Sequence, residues 1–83
     1  MAVYTYTTGV QIKMEKENIT GQITGSNQVF GISQRYEAGT IVVYWNGLRQ
    51  IVSVSYSELN DTQIRTDFVP ANGDYLEVEY IKK

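Results

Sequence analysis

The chain contains no cysteine and no histidine among its 83 residues. Without cysteine it forms neither a disulfide nor a thiolate metal site, and without histidine it lacks the commonest zinc ligand and the commonest general base. The conventional Ser/His and Cys/His nucleophile–base pairs therefore cannot be assembled. We predict a protein that is not an enzyme and has no cofactor. Because so small a domain usually needs a disulfide, a metal or a partner subunit, we also expect a homo-oligomer.

The chain also lacks a surplus of positive charge and a long apolar run. Its formal net charge is −2 and its seven Lys and Arg residues are scattered, whereas a nucleic-acid-binding protein needs a basic stripe facing the phosphates. No apolar stretch approaches the length of a membrane span. The first residues, "MAVYTYTTG", show no basic segment followed by an apolar one, so they do not resemble a secretory signal. We therefore expect no nucleic-acid partner, no membrane partner, and synthesis in a cytoplasm.

Tyrosine is the main compositional oddity, with seven copies in a chain of this length. Together with threonine, valine and isoleucine it favours extended backbone. Val10, Ile12 and Met14 share one face while polar residues occupy the other, a period-two alternation typical of a half-buried strand. About seven such short strands are separated by turn signals. The predicted fold class is therefore all-β, a small antiparallel β-sandwich or barrel-like sandwich.

The composition changes near Gly25, which divides the chain into residues 1–24 and a β-sandwich domain of residues 25–83. The first part is rich in Thr, Tyr, Lys and Glu, and the second has the pattern of a compact meander. Residues 1–24 are either an arm that pairs with a neighbouring subunit or edge strands of the same sandwich. The sequence leaves both alternatives open.

The stretch "VVYWNGLRQ" contains the strongest hairpin signal, the pair Asn46-Gly47, because both residues tolerate the positive φ of a type I′ turn. We predict a return strand after this turn that carries Leu48 and Gln50, and then Val52, Val54 and Tyr56 on one face. The alternation elsewhere predicts the inward faces of the strands. The predicted core residues are Phe30, Ile32, Ile41, Val43, Trp45, Leu76, Val78 and Tyr80.

Four ordered segments between residues 25 and 81 resemble a β-sandwich module of tailed-bacteriophage virion proteins. These segments are "GSNQVFGIS", "AGTIVVYWNGLRQ", "FVPANGD" and "YLEVEYI". The chain departs from that pattern in two places: "IVSVSYSEL" lacks the Asp-Tyr that commonly follows the hairpin, and the N-terminal segment has no counterpart. The resemblance implies a structural protein of a phage particle, in a capsid decoration, neck or tail position. It implies other virion proteins as partners and the virion as location, after synthesis in the host cytoplasm.

The stretch "VVYWNGLRQ" raises a choice between a buried and an exposed role for Trp45. A regular strand places Trp45 inward and Val42 and Tyr44 outward, which makes Val42 and Tyr44 candidate interface residues. Tyr4 and Tyr6, in the segment that is a possible arm to a neighbouring subunit, are the other two candidates. The alternative function is a carbohydrate- or host-surface-binding module of a tail fibre. It requires at least two exposed aromatic residues side by side, with Tyr44, Tyr56 and Tyr75 as the candidates.

Acidic residues in the second half of the chain raise the question of a calcium site. The acids concerned are Asp61, Asp67, Asp74, Glu77 and Glu79. Their spacing matches no calcium-binding loop, and aspartate is common in turns because its side chain binds nearby backbone. We therefore predict no metal site.

Overall fold

A computed structural model describes residues 14–83 of the chain, and within them it contains seven strands and one short 3-10 helix. The strands form two antiparallel sheets, which confirms the predicted all-β fold class and is consistent with a small β-sandwich. The elements are β1 (Met14–Asn18), the 3-10 helix (Thr20–Gln22), β2 (Val29–Gly31), β3 (Val42–Trp45), β4 (Leu48–Arg49), β5 (Tyr56–Asn60), β6 (Gln63–Thr66) and β7 (Leu76–Ile81).

The larger sheet has four strands in the order β1-β7-β3-β4, and the smaller sheet has three in the order β2-β6-β5. Strand β7 is an inner strand of the larger sheet. Its residues alternate between buried and half-buried positions, because successive side chains of a strand point to opposite faces of the sheet. Leu76, Val78 and Tyr80 point into the core from β7, and Val43 of β3 lies directly opposite Val78. The predicted domain of residues 25–83 thus shares its larger sheet with β1, which comes from the predicted N-terminal segment.

The core lies between the two sheets, and its side chains are almost inaccessible to solvent. Seven of the eight predicted core residues are buried there. The eighth, Trp45, differs from the prediction because it is half-buried and packs against the margin of the core. Ile19, Tyr36, Tyr56 and Ile64 complete the core. Burial of each large apolar side chain contributes roughly 1.5–3 kcal/mol.

Two core tyrosines place their hydroxyl groups on backbone carbonyls. The Tyr36 hydroxyl donates to the Asn60 carbonyl at 2.9 Å, and the Tyr56 hydroxyl donates to the Ile41 carbonyl at 2.7 Å. Burial raises the pKa of both phenols, so both stay protonated and keep donating at any ordinary pH. A buried polar group without such a partner would cost free energy, so these bonds make the two tyrosines acceptable in the core.

The predicted return strand is wrong beyond Arg49. Val52 and Val54 are exposed, and the chain leaves the larger sheet after Gln50 to reach the smaller one. Ser53 has a φ of 68°, and the Val54 N–H donates to the Ile51 carbonyl at 3.1 Å. This turn breaks the strand that the alternating valines predict. We call residues 50–55 the crossover loop.

The exposed edges of both sheets carry features that oppose pairing with another strand. The side-chain amide of Gln22 accepts from the Gly31 N–H at 2.8 Å and donates to the Gly31 carbonyl at 2.7 Å, in the place of a partner strand on β2. Strand β5 is irregular between Glu58 and Asn60, β4 has two residues, and β1 carries Glu15, Lys16 and Glu17. Short, bulged and charged edges are the usual protection against edge-to-edge association.

Candidate interaction surface

The predicted hairpin turn has the expected backbone. Asn46 and Gly47 have φ angles of 52° and 83°, both in the left-handed region that a type I′ turn uses. Trp45 pairs with Leu48 and Tyr44 with Arg49 across this turn. The turn therefore sets the register of the hairpin, as the Asn-Gly pair predicts.

Two of the four candidate interface residues, Val42 and Tyr44, lie half-buried on the outer face of the larger sheet. Val42 lies opposite Glu79, and the Tyr44 hydroxyl donates to the Glu79 carboxylate at 3.2 Å. Lys16 is 3.7 Å from the same carboxylate. This face is therefore mixed and charged. Candidates Tyr4 and Tyr6 lie outside the described residues.

Trp45 holds two turns together. Its ring stacks on Phe68 with the centroids 4.0 Å apart and the planes 8° from parallel. Its indole N–H donates to the Asp74 carboxylate at 2.9 Å. One ring face and the polar edge of the indole are thus already occupied within the chain, and Trp45 connects the hairpin to the turn that precedes β7.

Asp74 is the acceptor at the centre of this connection, a role that sequence reasoning missed. Besides the indole of Trp45, it accepts from the Ala71 N–H at 2.9 Å and from the Asn46 side-chain amide at 3.3 Å. These bonds, the one from Trp45 foremost, hold the pKa of Asp74 below its usual range. Asn46 in turn accepts from the Tyr75 N–H at 2.8 Å. Two turn motifs that are far apart in the sequence, "NG" at residues 46–47 and "PANGD" at residues 70–74, are the sequence signals at this end of the sandwich, and no local pattern joins them.

The clearest exposed apolar surface lies on and beside the crossover loop. We call it the crossover surface and define it as Leu48, Ile51, Val52 and Val54, which are 68%, 63%, 51% and 64% exposed. Sequence reasoning assigned three of these residues, Leu48, Val52 and Val54, to the predicted return strand. The surface borders a shallow depression of about 260 Å³, which Arg49, Gln50 and Tyr56 also line.

The backbone of the crossover loop is held at both ends and within the turn. The Gln50 N–H donates to the Val43 carbonyl at 2.8 Å, and the Ser53 N–H donates to the Tyr56 carbonyl at 2.7 Å. The Asp67 N–H binds the Ser55 carbonyl at 2.7 Å, which fixes the loop to the smaller sheet. The crossover surface is thus presented by a hydrogen-bonded turn, and little backbone entropy remains to be lost when a partner covers it.

The acidic residues that raised the question of calcium occupy separate places. Asp61 is 2.7 Å from Arg35 and 3.4 Å from Lys83, and the hydrogen bond from Arg35 is the main reason that the pKa of Asp61 is lowered. Asp74 binds Trp45, as described above. Within residues 14–83 no group of three or more acidic side chains converges on a point where a cation would be held.

Comparison with known proteins gives no relative from which a function could be transferred. No protein-family model matches the chain, and no curated protein or solved structure shows significant similarity to it. The described part of the chain holds no helix of the length and apolarity that crossing a bilayer demands. The resemblance to phage virion modules thus stays a prediction from the quoted segments.

Proposed function

We propose that this chain is a non-enzymatic structural protein that acts by self-assembly and by docking on other proteins. The observation that carries the proposal is the crossover surface. Isolated exposed apolar side chains are ordinary on a protein surface. Here four of them fall within residues 48–54, with Leu48 in β4 and the other three on a loop whose backbone is held by hydrogen bonds. Such an ordered apolar projection is typical of a surface that a partner covers.

The protected edges favour a particular mode of assembly. Gln22 occupies the pairing groups of Gly31, and charged side chains line β1. Addition of a strand from a partner is therefore disfavoured at the edges that the structure describes. Partners are expected to contact the crossover surface through side chains instead.

The setting that the sequence favours is a bacteriophage particle. The segments that resemble virion modules span residues 25–81, and the observed hairpin and β7 lie within them. We propose a capsid decoration, neck or tail component, located in the virion after synthesis in the host cytoplasm. Mass spectrometry of purified particles from the phage that encodes the chain tests this setting. If the chain is detected in infected cells but is absent from the particles, this setting is contradicted.

The alternative, a carbohydrate- or host-surface-binding module, has weaker support. Of its three candidate aromatic residues, Tyr56 is 3% exposed and packs in the core, and Tyr44 is half-buried with its hydroxyl on Glu79. Tyr75 is 45% exposed. A stacking platform would thus depend on Tyr75 and part of Tyr44.

Light scattering on the purified full chain tests the assembly proposal. We expect a mass of several subunits at tens of micromolar protein, and a shift towards monomer in the double variant Ile51→Ser/Val54→Ser. Val29→Ser is the matched control, because Val29 is 40% exposed on the smaller sheet, away from the crossover loop. A monomeric full chain whose tryptophan fluorescence changes on addition of a sugar would contradict assembly and favour the alternative.

A further inference from the structure

We propose that Asn72-Gly73 is a site of spontaneous covalent modification in the folded chain, whereas the fold protects Asn46-Gly47 from the same reaction. The reaction is deamidation, and its product loosens the connection between Trp45 and Asp74. The inference does not depend on the proposed assembly, because it rests on the contacts of two turns within one copy of the chain.

The sequence contains two Asn-Gly pairs, at residues 46–47 and 72–73. Asparagine is one of the thermolabile residues, and a following glycine has no side chain to hinder attack on it. The glycine backbone nitrogen attacks the asparagine Cγ. A bond from this nitrogen to Cγ forms, the bond from Cγ to Nδ2 breaks, and Nδ2 leaves as ammonia with the glycine amide proton. Water then opens the cyclic imide at either of its carbonyls and yields aspartate or isoaspartate.

The side chain of Asn46 is held at both ends of its amide group. Its oxygen accepts from the Tyr75 N–H at 2.8 Å, and its nitrogen donates to the Asp74 carboxylate at 3.3 Å. The backbone N–H of Asn46 donates to the Tyr75 carbonyl at 2.7 Å, which keeps the residue beside these partners. The Cγ of Asn46 reaches the Gly47 nitrogen only after both side-chain bonds have broken. A reaction that requires such local opening is slowed in the folded state.

The side chain of Asn72 has no such restraint. Asn72 is exposed, and its side chain lies against Gly25, where a Cβ would be 3.1 Å from the Asn72 side-chain nitrogen. Within residues 14–83 no hydrogen bond holds the Asn72 amide. The turn is closed by the Asp74 N–H, which donates to the Ala71 carbonyl at 2.9 Å. This bond restrains the residues on either side, so the Cγ of Asn72 approaches the Gly73 nitrogen without the loss of any side-chain bond.

The product of the reaction changes the turn that carries Asp74. The Asp74 carboxylate accepts from the Ala71 N–H and from the Trp45 indole, both at 2.9 Å. Isoaspartate at position 72 inserts a methylene into the backbone of this turn, and aspartate there adds a negative charge close to the Asp74 carboxylate. Both products therefore disturb the position or the electrostatic surroundings of Asp74. We expect the modified chain to unfold at a lower urea concentration than the unmodified one.

Ageing of the full chain in mildly alkaline buffer tests the inference, with each Asn-Gly pair as the control for the other. Trypsin cleaves after Lys and Arg, so Asn46 lies in the peptide of residues 36–49 and Asn72 in the peptide of residues 66–82. Mass spectrometry follows the exchange of the amide NH2 for OH in each peptide. In the folded chain, we expect Asn72 to deamidate at least about tenfold faster than Asn46. In concentrated urea, where the fold no longer protects Asn46, the two rates should agree within about threefold.

Each part of the inference has a result that overturns it. Equal rates in the folded chain, or a faster reaction of Asn46, would contradict protection of Asn46 by the fold. The same ratio of rates in urea as in the folded chain would assign the difference to the local sequence. If Asn72 stays intact in the folded chain while it reacts in urea, it is not a modification site. Anion exchange separates the deamidated chain, and an unchanged urea midpoint for it would refute the effect on the connection between Trp45 and Asp74.

Discussion

The hydroxyl of Tyr56 provides the sharpest stability test, because it forms a buried hydrogen bond from the smaller sheet to the residue that precedes β3. Tyr56 begins β5 in the smaller sheet, directly after the crossover loop, and its hydroxyl donates to the Ile41 carbonyl beside β3 at 2.7 Å. Both residues are buried, at 3% exposure each. Tyr56→Phe removes the donor and leaves the carbonyl without its partner. An average hydrogen bond contributes about 1 kcal/mol, and an unsatisfied buried group costs about 1–3 kcal/mol, so we expect a loss of about 1–2 kcal/mol.

Urea unfolding followed by tryptophan fluorescence measures this loss, since the chain has one tryptophan. Protein concentration is held fixed, because the stability of an oligomer depends on it. Tyr44→Phe is the control: its hydroxyl binds Glu79 on the outer face, where water can replace it. We expect that control to change stability by less than about 0.5 kcal/mol. Equal effects of the two variants would refute the assignment of a buried, stabilising hydroxyl to Tyr56.

Two further predictions concern the turns. Gly25 has a φ of +92°, and a Cβ there would lie 3.1 Å from the Asn72 side-chain nitrogen, so Gly25→Ala should destabilise the chain by about 1 kcal/mol or more in urea unfolding. At Gly21 a Cβ would meet no described atom within 4 Å, so Gly21→Ala should be close to neutral. Equal losses of stability in Gly25→Ala and Gly21→Ala would contradict the prediction. The pKa of Asp74 is lowered, so its stabilising contribution is present above the usual aspartate pKa near 3.8 and is lost as pH falls through the lower folded value. Asp74→Asn should therefore flatten the loss of stability below pH 4 in an acid titration. An unchanged dependence of stability on pH in that range would contradict a stabilising role for the ionised Asp74 carboxylate.

The sequence predicted the parts of the fold that depend on local alternation and turn chemistry. The period-two pattern of residues 76–81 is strong because β7 is central and one of its faces is buried along the whole strand. The Asn46-Gly47 pair predicts the hairpin because its backbone preference is local. Both features need no knowledge of what lies across the core.

The prediction failed where distant contacts override a local pattern. Ser53 adopts positive φ without any glycine, proline or asparagine nearby to signal a turn, so the alternating Val52 and Val54 resembled a strand. The strand ends because the loop must cross to the smaller sheet. For the same reason the crossover surface could not be predicted.

Trp45 shows both outcomes in one residue. The alternation gave its inward face correctly, and it packs against the core. Its half-buried position follows from its place at the end of β3, and its bond to Asp74 joins residues 29 apart in the sequence. Such a contact leaves no local signature, so its role in joining the turns emerged from the structure alone.

The oligomeric mass of the full chain tests the central claim, that the crossover surface is an assembly surface. Sedimentation equilibrium over a range of concentrations measures that mass for the parent chain and for Ile51→Ser/Val54→Ser. The account predicts a mass of several subunits for the parent and a shift towards the 9.4 kDa monomer for the variant. A parent chain that remains a monomer at every concentration, or a variant that assembles as the parent does, would contradict it.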